Sequence, residues 1–123
     1  MKIFPQIRAI PVGTVFEPNY IVNTIGTSRG EPALVYVIRN RGVGKPSTKR
    51  ICESEWELAY QQLLGPGQFT LDWFKENMPY AAKDGQCSFR VTGEAFAWLG
   101  LARRMPDKRG SKFILIPPLP TSP

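Results

Sequence analysis

Hydrophobic and polar positions change period near residue 53. Before it, apolar residues fall in short β-branched runs. Val12-Gly13-Thr14-Val15-Phe16 is one, Glu17-Pro18-Asn19 is turn-like, and Tyr20 to Ile25 is rich in strand formers. Gly26 to Pro32 has loop chemistry. Ala33 to Ile38 is a nearly continuous apolar run, as in a strand covered on both faces. Together these predict a small antiparallel sheet. Arg39 to Arg50 carries two glycines, a proline and no acid, and reads as a flexible basic loop.

After residue 53 the period becomes helical. Ser54 followed by Glu57 has the spacing of a capping box, and Glu53, Glu55 and Glu57 suit the positive end of a helix dipole. Trp56, Ala59, Tyr60, Leu63 and Leu64 form one apolar face, and Gly65-Pro66-Gly67 stops the helix. A second helix is predicted from Leu71 to about Met78, capped by Thr70 and ended by Pro79, with Leu71, Phe74 and Met78 inward and Trp73 half exposed. Ala81 to Gln86 is ambiguous, with Asp84-Gly85 a turn. Ser88 to Val91 reads as a short strand or a lead-in. Thr92 offers the cap of a third helix over Gly93 to Leu99, ended by Gly100. Leu101 to Met105 and Ser111 to Ile116 flank the turn-like Pro106 to Gly110 and predict a hairpin.

The fold class expected is α+β: a small antiparallel sheet, which the C-terminal hairpin either joins or stands out from, packed against about three helices. One domain is expected over 1–116, with a Pro-rich tail over 117–123 that is extended or disordered. The tail's Pro117 to Pro120 spacing also suits a polyproline ligand.

Charge sharpens the picture. The chain of 123 residues has net charge +6, but the balance is +6 over residues 1–52, −4 over 53–100 and +4 over 101–123. Basicity therefore sits toward the two ends, as two candidate phosphate-contacting surfaces. One is Arg39, Arg41, Lys45, Lys49 and Arg50; the other is Arg103, Arg104, Lys108, Arg109 and Lys112. The alternative is that both are solvated loops.

Other chemistries have little support. There is no histidine and no CxxC pair, so a Cys/His zinc site within one chain is excluded, and neither a metal nor a cofactor is expected. Cys52 and Cys87 lack the usual base of a cysteine nucleophile. Gly42-Val43-Gly44-Lys45-Pro46-Ser47 lacks phosphate-loop spacing. The enzyme question stays open, leaning to no. Met1 to Ile10 has no secretory h-region, and no apolar run approaches the roughly 20 residues of a membrane span. A soluble, cytoplasmic protein with reduced thiols is expected.

From Glu53 onward the predicted order is three helices and then a hairpin with a basic tip. With the stretch Thr92-Gly93-Glu94-Ala95-Phe96-Ala97-Trp98-Leu99-Gly100-Leu101-Ala102-Arg103-Arg104, this order resembles a winged helix-turn-helix over about half the chain. The resemblance implies a third helix in the major groove and a wing touching phosphate or the minor groove. The third helix here carries Glu94 and no Arg, Lys, Asn or Gln, so only the wing contacts carry over, onto Arg103, Arg104, Lys108, Arg109 and Lys112. The function expected is a small basic non-enzymatic protein that binds DNA or another nucleic acid through phosphates. The alternative is an α+β module for a protein partner, a small ligand or a second copy of itself.

Overall fold

Ile3, Phe4, Ile7 and Ile10 recur at helical spacing around Pro5, which is tolerated in a first helical turn. In a computed structural model, which describes residues 2–39, 47–108 and 110–117, they bury one side of a short helix α1 (Phe4–Arg8). The sequence reading had no helix there.

The α+β architecture follows in chain order. A four-stranded antiparallel sheet, β1 (Val15–Phe16), β2 (Tyr20–Ser28), β3 (Glu31–Ile38) and β4 (Ser47–Cys52), is ordered β1-β2-β3-β4. β3 is central and buried from Ala33 to Tyr36, in keeping with its continuous apolar run. Two expectations are corrected here. Residues 26–32 are no open loop: Gly26, Thr27 and Ser28 pair with Ala33, Pro32 and Glu31, leaving only Arg29 and Gly30 as the turn. Both have positive φ, 55° and 79°, as a two-residue hairpin turn matched to strand twist requires. Residues 47–50 are no loop either: Ser47 to Arg50 pair with Ile38 to Val35. All four are polar, two of them basic, which suits an edge strand. The rest of the predicted basic loop, residues 40–46, lies outside the described residues.

Five helices occur among the described residues, against about three expected. After α1 come α2 (Glu53–Leu64), α3 (Leu71–Asn77), α4 (Pro79–Asp84) and α5 (Cys87–Trp98), with β5 (Gln68–Phe69) between α2 and α3. Thr70 caps α3 as expected, its hydroxyl accepting from the Trp73 N–H at 3.2 Å. Pro79 ends α3 and also opens α4, the first-turn position that proline favours. The third predicted helix starts six residues early, at Cys87. Thr92 is not its cap but a buried interior residue whose hydroxyl donates to the Ser88 carbonyl at 2.7 Å.

The expected capping box is also corrected. Ser54 makes no side-chain cap. Glu57 reaches instead to α1, accepting from the N–H groups of Ile3 (2.9 Å) and Phe4 (2.8 Å). Glu55 is 2% exposed and accepts from Tyr80 (3.0 Å) and Ala81 (2.8 Å) in the first turn of α4. Glu31, across the β3–α2 junction, accepts from the Ser54 N–H of α2. Three helix starts thus receive a carboxylate from another element, which satisfies orphan N–H groups and complements the dipole. Glu57→Ala should therefore cost about 1–2 kcal/mol in urea unfolding. It should also speed hydrogen exchange at the Ile3 and Phe4 amides; unchanged exchange would contradict this cap.

The C-terminal hairpin, β6 (Ala102–Asp107) and β7 (Gly110–Leu115), does not join the N-terminal sheet. With β5 it forms a separate three-stranded sheet ordered β5-β7-β6. Phe113 of β7 and Phe69 of β5 are fully buried and join Phe74, Phe89 and Phe96 in an aromatic cluster. α5 lies against this sheet at Gly93, where a Cβ would come within 2.1 Å of the Phe113 ring carbons. One buried cluster runs from Ile3 to Phe113, taking in Trp56, Tyr36 and Ile51. Leu64, given to the apolar face of α2, departs from it at 44% exposed, and Trp98 of α5 is 51% exposed. Trp73 is partly buried against the core, as expected. No described helix is long and apolar enough to cross a membrane.

Candidate functional site

The N-terminal end of α5 is held against the four-stranded sheet by a polar contact inside the core. The Tyr36 hydroxyl lies 2.6 Å from the Ser88 hydroxyl and 3.1 Å from the Cys87 sulfur. Burial, reinforced by the Cys87 bond, pushes the Tyr36 phenol far above its ordinary value, so it stays neutral. This contact covers the side of α5 that faces the sheet. Trp98, at the last turn and 51% exposed, is the most open residue of α5.

Beside that contact an open cleft of about 300 Å³ lies between the two sheets. Tyr20 of β2 and Leu71 of α3 form parts of its wall, Arg90 and Gln86 line it from α5, and Gly110 and Ser111 line it from the hairpin tip. Tyr20 packs edge-to-face on Tyr36 at 5.9 Å, and burial raises its phenol pKa. Arg90 Nε approaches Glu94 Oε1 at 3.4 Å, as an ion pair without an aligned hydrogen bond.

The cleft is lined by part of the second basic segment and lies one strand away from the end of the first. Tyr20 pairs with Ile38, next to Arg39, while Gly110 follows the turn that carries Lys108. Arg39 is exposed; its backbone is fastened to Asn19, with N–H to O at 3.0 Å and O from Asn19 Nδ2 at 2.8 Å. Lys108 and Arg103 are also exposed. The side chains of these three make no hydrogen bond or ion pair among the described residues, although the Lys108 N–H donates to the Asp107 carboxylate at 2.6 Å.

Four candidates are engaged within the fold. Lys49 Nζ donates to the Asp84 carbonyl at 2.6 Å and sits 3.7 Å from its carboxylate. Arg50 donates its N–H to Asp84 at 3.0 Å and its Nη1 to the Thr27 carbonyl at 2.6 Å. Both side chains serve to hold β4 to α4 and β2. Arg104 pairs with Glu94 at 3.6 Å, and Lys112 donates to Gln68 at 3.2 Å. Arg41, Lys45 and Arg109 lie outside the described residues.

A second open cleft, of about 430 Å³, lies between the β2–β3 turn, β4 and α4. The sequence reading named neither this cleft nor its residues Arg29 and Lys83. Their signal was weak, because single cations on a turn and a short helix look like ordinary surface. No group of three or more His, Cys, Asp or Glu suited to a metal ion occurs among the described residues. No protein-family model, curated protein or solved structure matches the chain.

Proposed function

We propose that the protein binds nucleic acid, DNA in the first instance, by holding phosphates along the Tyr20–Arg90 cleft and its basic borders. One adjacency carries this reading: Tyr20, whose strand partner Ile38 precedes Arg39, and Gly110 and Ser111 of the hairpin that bears Lys108 line a single cleft. Arg90 adds a cation inside it, and Tyr20 a partly exposed ring. Winged-helix-like organisation belongs to the same proposal. It draws on the order α2, α3, α5 and hairpin, whose strand β7 is anchored in the core by Phe113. α4 and the N-terminal sheet are additions to that pattern. Groove reading by the C-terminal turns of α5 is left out of the proposal, because residues 91–98 carry Glu94 and no Arg, Lys, Asn or Gln. The free thiols Cys52 and Cys87 fit a reducing, cytoplasmic setting.

The test is anisotropy of a labelled random duplex titrated at several salt concentrations. Micromolar binding is expected, with log K falling by roughly 0.9 per log salt for each phosphate neutralised. Changing Arg39, Arg103 and Lys108 together to Ala should flatten that slope by about 2–3 and weaken binding at least about tenfold at low salt. Lys2→Ala with Arg8→Ala, two exposed cations flanking or within α1, is the control for net charge alone. Equal loss in that control, or no binding at low salt, would remove the phosphate reading. The protein-partner or small-ligand module would then replace it.

A further inference from the structure

The second cleft is lined by three cations and two hydroxyl groups, with the Asp84 carboxylate and the Cys52 thiol also in its wall. Arg29 stands on the β2–β3 turn, Arg50 on β4 and Lys83 on α4, with the hydroxyl groups of Ser28 and Tyr80 beside them. The Arg29 guanidinium carbon lies over the Tyr80 ring, 3.6 Å from its centre, a cation–π contact that holds this cation in place. Arg50 crosses the sheet above Gly26, a position where a side chain would collide with its guanidinium. Its Nη1 is used on Thr27, which fixes the group in place.

The carboxylates of this region are already committed. Asp84 accepts from the Arg50 N–H and faces Lys49. Glu31 and Glu55 accept from backbone N–H groups of α2 and α4. Cys52, at the cleft's inner wall, is 3% exposed, and burial raises its thiol pKa, so it adds no negative charge.

We propose that this cleft is a binding site for a small phosphate monoester carrying a flat organic group. Two guanidinium groups and an ammonium suit a dianionic phosphate, and the hydroxyls add neutral donors. The space, about 430 Å³, exceeds what a bare phosphate fills and falls within the range of small-ligand sites. The Arg29–Tyr80 stack supplies a flat platform for the organic group. The site is independent of the nucleic-acid cleft, since they share no lining residue.

The experiment is a ¹⁵N–¹H NMR titration of the whole chain with adenosine monophosphate, inorganic phosphate and adenosine at low salt. Saturable shifts are expected at residues 28–30, 50 and 80–84, with Kd below about 1 mM for the monophosphate. Inorganic phosphate should bind there at least about tenfold more weakly, and adenosine should leave these residues unshifted. Arg29→Gln and Lys83→Gln, both at exposed positions, should each weaken monophosphate binding at least about fivefold, while Lys108→Ala should not. Three results would overturn the site: no saturation by about 10 mM, equal shifts with adenosine, or shifts centred on Tyr20 and Arg90. Failure here leaves the duplex measurement untouched, because that reads other residues and another ligand.

Discussion

Gly93→Ala should destabilise the protein by about 3 kcal/mol or more, the upper end of the range for overpacking a close-packed core. Helix propensity alone argues the other way, since alanine is worth up to about 1 kcal/mol over glycine in a helix interior. The packing decides the sign. A methyl at position 93 overlaps the ring of Phe113, which is fully buried and in contact with Phe69 and Phe89 on its other sides. The ring has nowhere to move without opening the aromatic cluster. Urea unfolding of the variant is the measurement. A variant as stable as the parent, or more stable, would mean that α5 does not meet β7 at this glycine. The double variant with Phe113→Leu isolates the cause, and should recover at least about 1 kcal/mol relative to the sum of the single effects.

Glu55→Ala is expected to cost about 3 kcal/mol, because it strips the first turn of α4 of both bonds to Tyr80 and Ala81 in a site that water does not reach. Glu55→Gln keeps one acceptor oxygen and should fall between the two. The carboxyl also carries a pH signature. Burial raises its pKa above 4.5, although the two N–H groups and Arg29 pull the other way. Its ionised form is thus less favoured in the folded than in the unfolded protein. The carboxyl's contribution to stability is therefore greatest below about pH 4.5 and declines as pH rises through the raised folded value. Measuring stability against pH for the parent and for Glu55→Gln checks this. The difference between the two curves should slope downward with pH just above 4.5, and a rising or flat difference would contradict the burial argument.

Several parts of this architecture were legible from local pattern. The β3 run, the Gly65-Pro66-Gly67 stop, the Thr70 cap and the hairpin around residues 106–110 each rest on chemistry within a few residues. The α1 helix was legible in principle, since Ile3, Phe4, Ile7 and Ile10 have the right spacing, but five residues give a weak periodic signal. The start of α5 was missed because Thr92 looks like a cap, whereas burial lets its hydroxyl bond back to Ser88 within a continuing helix.

By itself, the sequence determined the α+β class, the period change near residue 53 and the concentration of positive charge toward both ends. Only the tertiary structure decided where the glutamates act. A capping box and a carboxylate bound to a distant helix look identical in sequence, and the difference is which N–H groups folding brings within reach of Glu55 and Glu57. Packing likewise decided that Lys49 and Arg50 are structural cations. It set Tyr20, Arg90 and the hairpin residues Gly110 and Ser111 along one cleft, and Arg29, Arg50 and Lys83 around another. Charge is additive along a chain, but a binding site depends on distances between residues far apart in it, and those distances are set by the packing of α4, α5 and the two sheets.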